Sequence, residues 1–370
     1  MKIGQIISEK RKEKGITQQE LAEFVGVSKA AVSKWETGLT YPDITLLPLL
    51  AAYFDVSMDQ LLDYHSQLSA KEIQRLYTML KKSLEKDSGE VVLTNLRRLV
   101  RRYYSCYPFV LQMGLFLMNH FDYFPAMEGE NKQQKYMNEA REWFLHVKNA
   151  TKEVALVNQA RNLEAYTLLL LQQPDQVLAL LGEYVPAYFP TETLIAGAFQ
   201  QQGEGQRGIA TLQSSIAQYI FVLMSGFTNY LQFLLADEEK FQMTYERGKK
   251  IAETFELMTL HPIILMNFQL SAIFGFAQLG KHTQTIEVLE AFESTLRHTD
   301  FELELHGDAY FDQIDEWLAQ LDLGPQMPRT TKNMKYEFLT LVVDNPLLKP
   351  YQNETKIKEI AREATNLGME

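Results

Sequence analysis

Apolar residues recur three and four positions apart along almost the whole of this 370-residue chain, which is the spacing of one face of an α-helix. The first 64 residues contain five such segments, and glycines stand between several of them. The remainder continues as helical segments of roughly 12–20 residues, with no convincing run that alternates apolar and polar side chains as a half-buried strand does. The pattern therefore predicts an all-α protein.

The stretch TQQELAEFVGVSKAAVSKWETG, residues 17–38, holds the start and stop signals of two short helices. Thr17 and Glu20 form a capping-box pattern at the first helix, and Ser28 is placed to cap the second. Gly26 stands between them, where a tight turn needs a left-handed backbone. This is helix-turn-helix geometry, in which one helix enters the DNA major groove and the preceding helix crosses the backbone. The alternative is a five-helix module that binds protein or no partner.

Residues 1–66 resemble the Xre type of phage-repressor helix-turn-helix domain, a five-helix lambda-repressor-like fold. The resemblance rests on GITQQELAEFVGVSKAAVSKWETG and on PDITLLPLLAAYFDVSMDQLL, which follows it after three residues. It implies a domain that contacts double-stranded DNA through the start of the second helix, the exposed face of the third helix and the loop that follows. The implied DNA-binding residues are Gln18, Ser28, Lys29, Ala30, Ser33, Lys34, Thr37 and Tyr41.

The resemblance also implies a role for most of these positions. Gln18 would hydrogen-bond a phosphate, and Thr37 and Tyr41 would lie beside the DNA backbone. Lys29 and Lys34 could donate to guanine O6 and N7, although an ordinary phosphate contact suits both lysines equally well.

Two positions outside that list, and Ala30 within it, also matter to the domain. Arg11 and Glu36 resemble a pair that ties the first helix to the end of the third. Ala30 could touch a thymine methyl, but a small side chain here leaves the recognition helix fewer hydrogen-bonding groups for specificity.

After residue 66, pairs of helices separated by short turns succeed one another, and several pairs share one plan. A first helix carries small or aromatic residues, a polar turn follows, and a second helix is again small and apolar. The segments that follow this plan are 160–184, 193–219, 227–255 and 266–296, with turns near 173, 203, 237 and 280. They resemble tetratricopeptide repeats, which predicts an α-solenoid of degenerate repeats over residues 67–370. An irregular helical bundle is the alternative.

A stack of such helix pairs leaves a groove that binds peptides, and recognition of a peptide backbone needs side chains that donate and accept hydrogen bonds. Asparagine and glutamine do both. The candidate ligand-binding amides, all in first helices of these pairs, are Asn158, Asn162, Asn229, Asn267 and Gln269. The alternative is that each amide lies between helices or faces solvent.

Charge is distributed unevenly along the chain. Residues 1–38 carry seven lysines and arginines against five glutamates, a net charge of +2, whereas the whole chain carries −11. Because an acidic surface repels phosphate, any contact with DNA is expected at the N-terminal end.

Composition and motifs indicate the cellular compartment of the protein and argue against a catalytic or metal-binding role. The single cysteine, Cys106, fits a reducing cytosol, and the start MKIGQIISEKRKEKG does not resemble a signal peptide. The apolar stretches 109–121 and 219–227 are shorter than the ~20 residues of a membrane span, so we expect a cytoplasmic protein that makes no membrane contact. Neither a catalytic constellation nor metal-ligand spacing occurs, and we expect no enzyme activity, no metal and no cofactor.

The order of an Xre-type domain and a degenerate repeat stack resembles the cytoplasmic peptide-pheromone receptors of Gram-positive bacteria, the Rgg, PlcR and PrgX group. That resemblance implies a quorum-sensing transcriptional regulator, with DNA binding by residues 1–66 and with dimerisation and peptide or partner binding by residues 67–370. It also implies a homodimer that is switched by a short signalling peptide. Two alternatives stay open, a ligand-independent dimeric repressor and an antitoxin-like repressor whose helical domain binds a protein partner.

Overall fold

The computed structural model describes residues 3–63, 67–126, 129, 131–185, 190–301, 304–329 and 334–368. Within these ranges the chain forms helices, turns and one isolated bridge, between Glu304 and Gln326, and it forms no strand. The prediction of an all-α protein is confirmed.

The chain divides into two compact units. The first consists of Met1–Ser69 and Val100–Phe109, and the second of Ala70–Leu99 and Val110–Glu370. The Gln67 side chain donates to the carbonyl of Ser105, and the N–H of Leu68 lies 3.3 Å from the sulfur of Cys106, so residues 100–109 are bound to the first unit. The predicted division instead assigns residues 100–109 to the helical domain. Its boundary falls on residues 64–66, which lie outside the described residues.

Five α-helices form the first 63 residues. They are α1 Ile3–Glu13, α2 Gln18–Val25, α3 Lys29–Glu36, α4 Leu47–Phe54 and α5 Met58–Leu62. A short 3₁₀ turn, Ile44–Leu46, leads into α4, and the side chain of Asp43 caps its start by accepting from the N–H of Thr45.

The signals that begin and end these helices act as the sequence predicts. The Thr17 side chain accepts from the N–H of Glu20, and the Glu20 carboxylate accepts from the N–H of Thr17, which completes the capping box of α2. Gly26 has φ +74° and ends α2 in the left-handed region. Ser28 then caps α3 by accepting from the N–H of Ala31 at 3.2 Å.

A small apolar core joins the five helices, and α1 approaches α3 very closely. The core is built from Ile3, Ile7, Leu21, Ala22, Val25, Val32, Trp35, Leu47, Leu50, Ala51, Phe54 and Leu61. A Cβ atom at Gly4 would lie 1.9 Å from the carbonyl oxygen of Trp35, so only glycine fits where α1 crosses α3. The buried Val32 and Trp35 and the close backbone contact at Gly4 therefore hold α3 against the core and against α1.

Fifteen further helices follow along the described chain. They are α6 Ala70–Leu84, α7 Gly89–Arg102, α8 Tyr107–His120, α9 Lys132–Ala150, α10 Val154–Leu170, α11 Pro174–Leu181, α12 Glu192–Gln201, α13 Gly205–Phe233, α14 Glu238–Thr254, α15 Leu257–Leu260, α16 Pro262–Gln278, α17 His282–His298, α18 Asp315–Gln320, α19 Met334–Val343 and α20 Thr355–Gly368. Helices adjacent in sequence pack as pairs, among them α9 with α10, α12 with α13 and α16 with α17.

The four predicted turns are present, but one predicted helix break is not. Turns near residues 173, 203, 237 and 280 separate α10 from α11, α12 from α13, α13 from α14 and α16 from α17. The segments 193–219 and 227–255 were expected to contribute separate helices to neighbouring pairs. Instead α13 runs without interruption through both, because no proline stands between them and Gly226 alone does not stop a helix.

Two glycines and two phenylalanines interlock α14 with α16. The Phe268 ring of α16 lies over Gly248 of α14, and the Phe241 ring of α14 lies over Gly275 of α16. Both rings are buried, at 1% and 0% exposure. Each helix therefore supplies one large and one minimal residue to its neighbour, and this reciprocal packing brings the two backbones close together.

We predict that Gly275→Ala destabilises the second unit by about 1–3 kcal/mol, because overpacking a filled core costs this much. A Cβ atom at this position would lie 2.2 Å from the Phe241 ring, which is fully buried. Denaturant unfolding followed by circular dichroism measures the change.

The matched control is Gly197→Ala on α12, where an added Cβ would meet no atom within 4 Å. Alanine should there be neutral or stabilising by up to about 1 kcal/mol, because it is the better helix former. Equal shifts for the two variants would contradict the interlock.

Candidate nucleic-acid interface and ligand cavity

The side of α3 that faces away from the core presents most of the predicted DNA contacts. The exposed residues on and beside this face are Ser28, Lys29, Ala30, Lys34, Thr37 and Tyr41, and Ser33 is half-buried. Ser33 and Thr37 follow Lys29 at steps of four residues, and Lys34 follows Ala30 at the same step, so these side chains form two adjacent rows of one surface. Val32 and Trp35 occupy the opposite, buried face.

The two lysines of this face have no acidic partner among the described residues. Among the described residues, the ammonium groups of Lys29 and Lys34 form no ion pair and no hydrogen bond, whereas that of Lys10 on α1 pairs with Glu13 at 2.7 Å. An ammonium group without an internal partner is free to contact phosphate or a base edge.

The hydroxyl groups at the two ends of α3 serve the helix itself. Ser28 Oγ accepts the N–H of Ala31, and Thr37 Oγ1 donates to the carbonyls of Ser33 and Lys34, at 2.9 and 3.2 Å. Ser28 keeps its own proton for an outside acceptor, but Thr37 has to rotate its hydroxyl before it can donate to phosphate. The DNA contacts of both residues stay predictions.

Gln18 and Tyr41 flank this face. Gln18 is half-buried, and its Nε2 donates to Glu36 Oε2 at 2.9 Å, so one of its two N–H groups is already used. Tyr41 is exposed in the loop after α3, next to the exposed Leu39 and Ile44. The predicted phosphate contact of Gln18 is left to its second N–H group.

A bidentate ion pair ties α1 to the end of α3, as the resemblance implied. Arg11 donates to both oxygens of Glu36, at 2.6 and 3.0 Å, and its Nη1 donates to the carbonyl of Ile16 at 2.8 Å. The side chains of Arg11 and Glu36 are only 12% and 7% exposed. Because Gln18 donates to the same carboxylate, residues from α1, α2 and α3 meet at Glu36.

The environment of Glu36 favours its ionised form. Burial raises the pKa of this carboxyl group, but hydrogen bonds from Arg11, Gln18 and Ser8, together with the Arg11 charge, outweigh burial and lower the pKa. The hydrogen bond to Glu36 in turn raises the pKa of Arg11. Both groups therefore stay charged, and the pair persists across the neutral range.

A cavity of about 510 Å³ lies among α14, α15, α16 and α17 of the second unit. Its walls include the rings of Tyr245 and Phe268, which stack with their centroids 5.9 Å apart, and the side chain of Leu265. Lys249 and Glu253 add charges of opposite sign at its exposed edge. An apolar lining with a few polar groups is typical of ligand sites.

Gln269, which lines this cavity, holds a buried and unsatisfied hydrogen-bond acceptor. Its Nε2 donates to Thr295 Oγ1 at 3.1 Å, and that hydroxyl donates to the carbonyl of Ala291, which fixes the orientation of the amide. Gln269 Oε1 is buried and has no hydrogen-bond partner. A buried acceptor without a partner costs about 1–3 kcal/mol, a cost that a ligand with an N–H or O–H donor would remove.

The rim of the cavity also holds a strained residue. Glu256, between α14 and α15, has φ +46°, in the left-handed region that non-glycine residues rarely adopt. Backbone strain of this kind concentrates at binding sites. Neither Glu256 nor Tyr245 belongs to a sequence motif, and sequence reasoning missed both.

The structure does not bring the five predicted amides together. Asn267 precedes Gln269 by two residues, about 200° around α16, and lines a different cavity of about 290 Å³. Asn158 and Asn162 are exposed on α10, and Asn229 is exposed on α13, outside the 510 Å³ cavity. Of the five, only Gln269 lines the 510 Å³ cavity, and ligand roles for all five stay predictions.

A search of the described residues for three or more clustered histidine, cysteine, aspartate or glutamate side chains that could hold a metal ion finds none. The buried histidines are engaged in packing. Burial lowers the pKa of His120 and of His261 to about 4, and the ring nitrogen of His261 accepts from the N–H of Ile264 at the start of α16. Both rings are therefore neutral near pH 7.

Known proteins resemble the first unit in sequence. Residues 7–61 match the helix-turn-helix family. Over 76 residues the chain is 42% identical to the HTH-type transcriptional regulator SinR of Bacillus licheniformis, covering 19% of this chain and 68% of SinR. Over 74 residues it is 34% identical to the HTH-type transcriptional activator BcrR of Enterococcus faecalis, covering 20% of this chain and 36% of BcrR. The match thus spans about a third of BcrR.

A solved structure aligns along nearly the whole chain, but weakly. It is the apo form of the competence regulator ComR from Streptococcus vestibularis, at 11% identity, covering 99% of this chain and 98% of that one. Its TM-score is 0.23, which is too low to establish a shared fold.

We predict that Glu36→Ala destabilises the first unit by about 3 kcal/mol, because it leaves the buried guanidinium of Arg11 without an opposite charge. Since the pKa of Glu36 is lowered in the folded protein, its contribution is present above the ordinary carboxyl pKa of about 4.3 and is lost as pH falls through the lower folded pKa. Amide hydrogen exchange of α1 and α3 in the full chain measures the effect at each pH.

The control is Glu13→Ala, which removes the exposed pair with Lys10 and should change stability by less than about 1 kcal/mol. Exchange rates in α1 and α3 that rise no more for Glu36→Ala than for Glu13→Ala would show that the pair stabilises nothing.

Proposed function

The chain belongs to the helix-turn-helix family of transcriptional regulators, and we propose that it binds double-stranded DNA through α3 and regulates transcription. The observation that carries this proposal is the exposed face of α3, with two unpaired lysines, on a helix that Glu36 ties to α1. The family is one of regulators rather than enzymes. A regulator of this kind acts where the DNA is, so we place the protein in the cytoplasm.

We propose that the active form is a homodimer. A single DNA-binding module buries only about 600–1,000 Å² of protein surface, which limits both affinity and specificity. Two copies related by a two-fold axis double the contacts and require half-sites about one helical turn, ~34 Å, or a multiple of it apart. The uneven distribution of the net charge of −11 supports contact with DNA by the weakly basic residues 1–38 and not by acidic surfaces of the remainder.

We further propose that a short peptide in the 510 Å³ cavity controls DNA binding. A backbone N–H of an extended peptide would satisfy Gln269 Oε1, and an apolar side chain would pack on Phe268 and Leu265. Such a ligand shifts DNA binding only as far as it binds one arrangement of the protein better than another. A ligand-independent repressor and an antitoxin-like repressor that binds a protein are the other outcomes of the experiments below.

We predict that Lys29→Ala and Lys34→Ala each weaken DNA binding without unfolding the protein. A lost guanine contact costs about 1–3 kcal/mol, or roughly five- to 150-fold in affinity, and relaxes the choice of one base. A lost phosphate contact weakens binding to every sequence and lowers the slope of log K against log salt by about 0.9. Titrations of labelled operator DNA over a salt series distinguish the two roles.

Lys12→Ala is the matched control, since Lys12 is exposed on α1 and its loss changes the net charge equally. If Lys12→Ala weakens binding as much as either α3 variant at every salt concentration, the assignment of α3 to the DNA is wrong.

We predict that Gln269→Met abolishes the response to peptide and leaves the fold intact. Methionine fills a similar volume and removes the unsatisfied acceptor, so stability should change by less than about 1.5 kcal/mol. Affinity for a peptide selected from a random library on the wild-type protein should fall roughly five- to 150-fold. Calorimetric titration measures the affinity, and denaturant unfolding measures the stability.

Asn229→Ala serves as the control, because it removes an exposed amide outside the cavity. It should bind the selected peptide as the wild type does. A wild-type protein that selects no peptide would favour the ligand-independent regulator, and equal binding by Gln269→Met would remove Gln269 from the site.

A further inference from the structure

Helix α13 carries a stripe of exposed apolar side chains in addition to the face it buries. Seven of them lie three or four residues apart in strict alternation, and each is 38–84% exposed. They are Ile209, Leu212, Ile216, Tyr219, Leu223, Tyr230 and Phe233, and Gly226 fills the one remaining position of the series. We call this set the α13 seam. Its spacing is the a/d heptad of a coiled coil, sustained over 25 residues.

The seam is distinct from the side of α13 that packs into the core, although its residues Leu212, Ile216 and Tyr219 also line a pocket beside Pro190 and Thr193. Ala217, Ile220, Met224 and Leu231 are buried and belong to the core. Seam residues are roughly 120° around the helix from these. One apolar stripe is enough to pack a helix into its own chain, so the second stripe needs another occupant.

Charge and composition indicate what that occupant is. From Gly208 to Phe233 the helix contains no charged residue, in a chain whose net charge is −11. A second copy could therefore lie along the seam without the like-charge repulsion that other acidic surfaces of the two chains would meet. Heptad seams pair with seams of the same spacing, because knobs then meet holes along the whole length.

We infer that two copies of this chain pair through their α13 seams, antiparallel, about a two-fold axis that passes near position 221. The inference deepens the homodimer of the proposed function, on which it rests, by naming the surface and its geometry. An interface of this kind is isologous, since the same seam of each copy forms it and every contact between two different seam residues occurs twice.

The spacing of the seam is itself symmetric, and this decides the direction. About position 221, Ile209 mirrors Phe233, Leu212 mirrors Tyr230 and Tyr219 mirrors Leu223. Ile216 then mirrors Gly226, so the gap left by the glycine is filled by a large side chain. In a parallel pair, Gly226 would face Gly226 and leave a void in the middle of the interface, while the tyrosines would face each other.

The size of the seam agrees with a specific interface. Its half-exposed side chains offer roughly 600 Å² of apolar surface per protomer, compared with about 800 Å² per partner in a standard protein interface. By length and composition, α13 could also span a membrane. Its Ile220 and Met224 are, however, buried against neighbouring helices, and a membrane is treated below as a competing outcome.

Cysteine cross-linking tests both the surface and the direction. Leu212→Cys and Tyr230→Cys proteins are oxidised separately and as an equimolar mixture, in the full chain, whose own Cys106 is buried. Antiparallel pairing predicts a disulfide-linked dimer in the mixture and little in either protein alone. Self-linking of each single variant would overturn the antiparallel arrangement. Gln232→Cys, exposed on another side of α13, is the control and should not cross-link.

A second measurement tests the seam without cysteine. Leu223→Glu places two charges beside the two-fold axis and should raise the dimer dissociation constant at least about 100-fold in sedimentation equilibrium. Gln232→Glu adds the same charge outside the seam and should leave the dimer unchanged. A wild-type protein that is monomeric at micromolar concentration, or that associates with neutral phosphatidylcholine vesicles through α13, would refute the inference.

Failure of this inference and failure of the proposed function are distinguishable. If α13 cross-links as expected but the protein binds no DNA, the α13 seam is supported as the dimer interface and the proposed regulatory function is refuted. If DNA is bound by a dimer that Leu223→Glu leaves intact, the function stands and the two copies meet elsewhere.

Discussion

The bidentate pair between Arg11 and Glu36 is the interaction on which the DNA-binding unit depends. It joins the first helix to the end of the third, and the amide of Gln18 adds the second helix to the same carboxylate. The core of this unit is small, so packing alone leaves some freedom in the angle of α3. A buried pair of two planar groups removes that freedom, because only one orientation satisfies both hydrogen bonds. The side chains of Lys29 and Lys34 consequently project from the unit in a fixed direction. A recognition helix that contacts base edges in the major groove requires this.

The second unit depends on a different constraint, the need of each helix to cover its apolar stripe with a neighbour. Between α14 and α16 this is met by large residues set into glycine gaps, and the Gln269 cavity opens beside this contact, where α15 and α17 complete the wall. Along α13 the same constraint is met only on one side. The cavity beside the α14–α16 contact is suited to hold a ligand within one chain. The uncovered side of α13 is suited to join two chains.

Local signals made the first unit predictable from sequence. The capping box of Thr17 and Glu20 and the left-handed Gly26 act within a few residues, so no knowledge of the fold was needed. The second unit was predictable only in its turns. The continuity of α13 and the separation of Asn267 from Gln269 depend on which side of a helix faces which neighbour. A pattern of apolar and polar residues does not settle this when a helix is apolar on two sides. The unpaired Oε1 of Gln269 could be found only in three dimensions.

The most direct test of the account is selection of bound sequences from random double-stranded DNA by the full-length protein, followed by sequencing of the bound pool. An α3 that reads the major groove in a two-fold dimer should enrich two inverted copies of one short motif. Their centres should be separated by a whole number of helical turns, about 10–10.5 base pairs each. A pool with no enriched motif would contradict sequence-specific DNA binding, and a single asymmetric motif would contradict the dimer that the account requires.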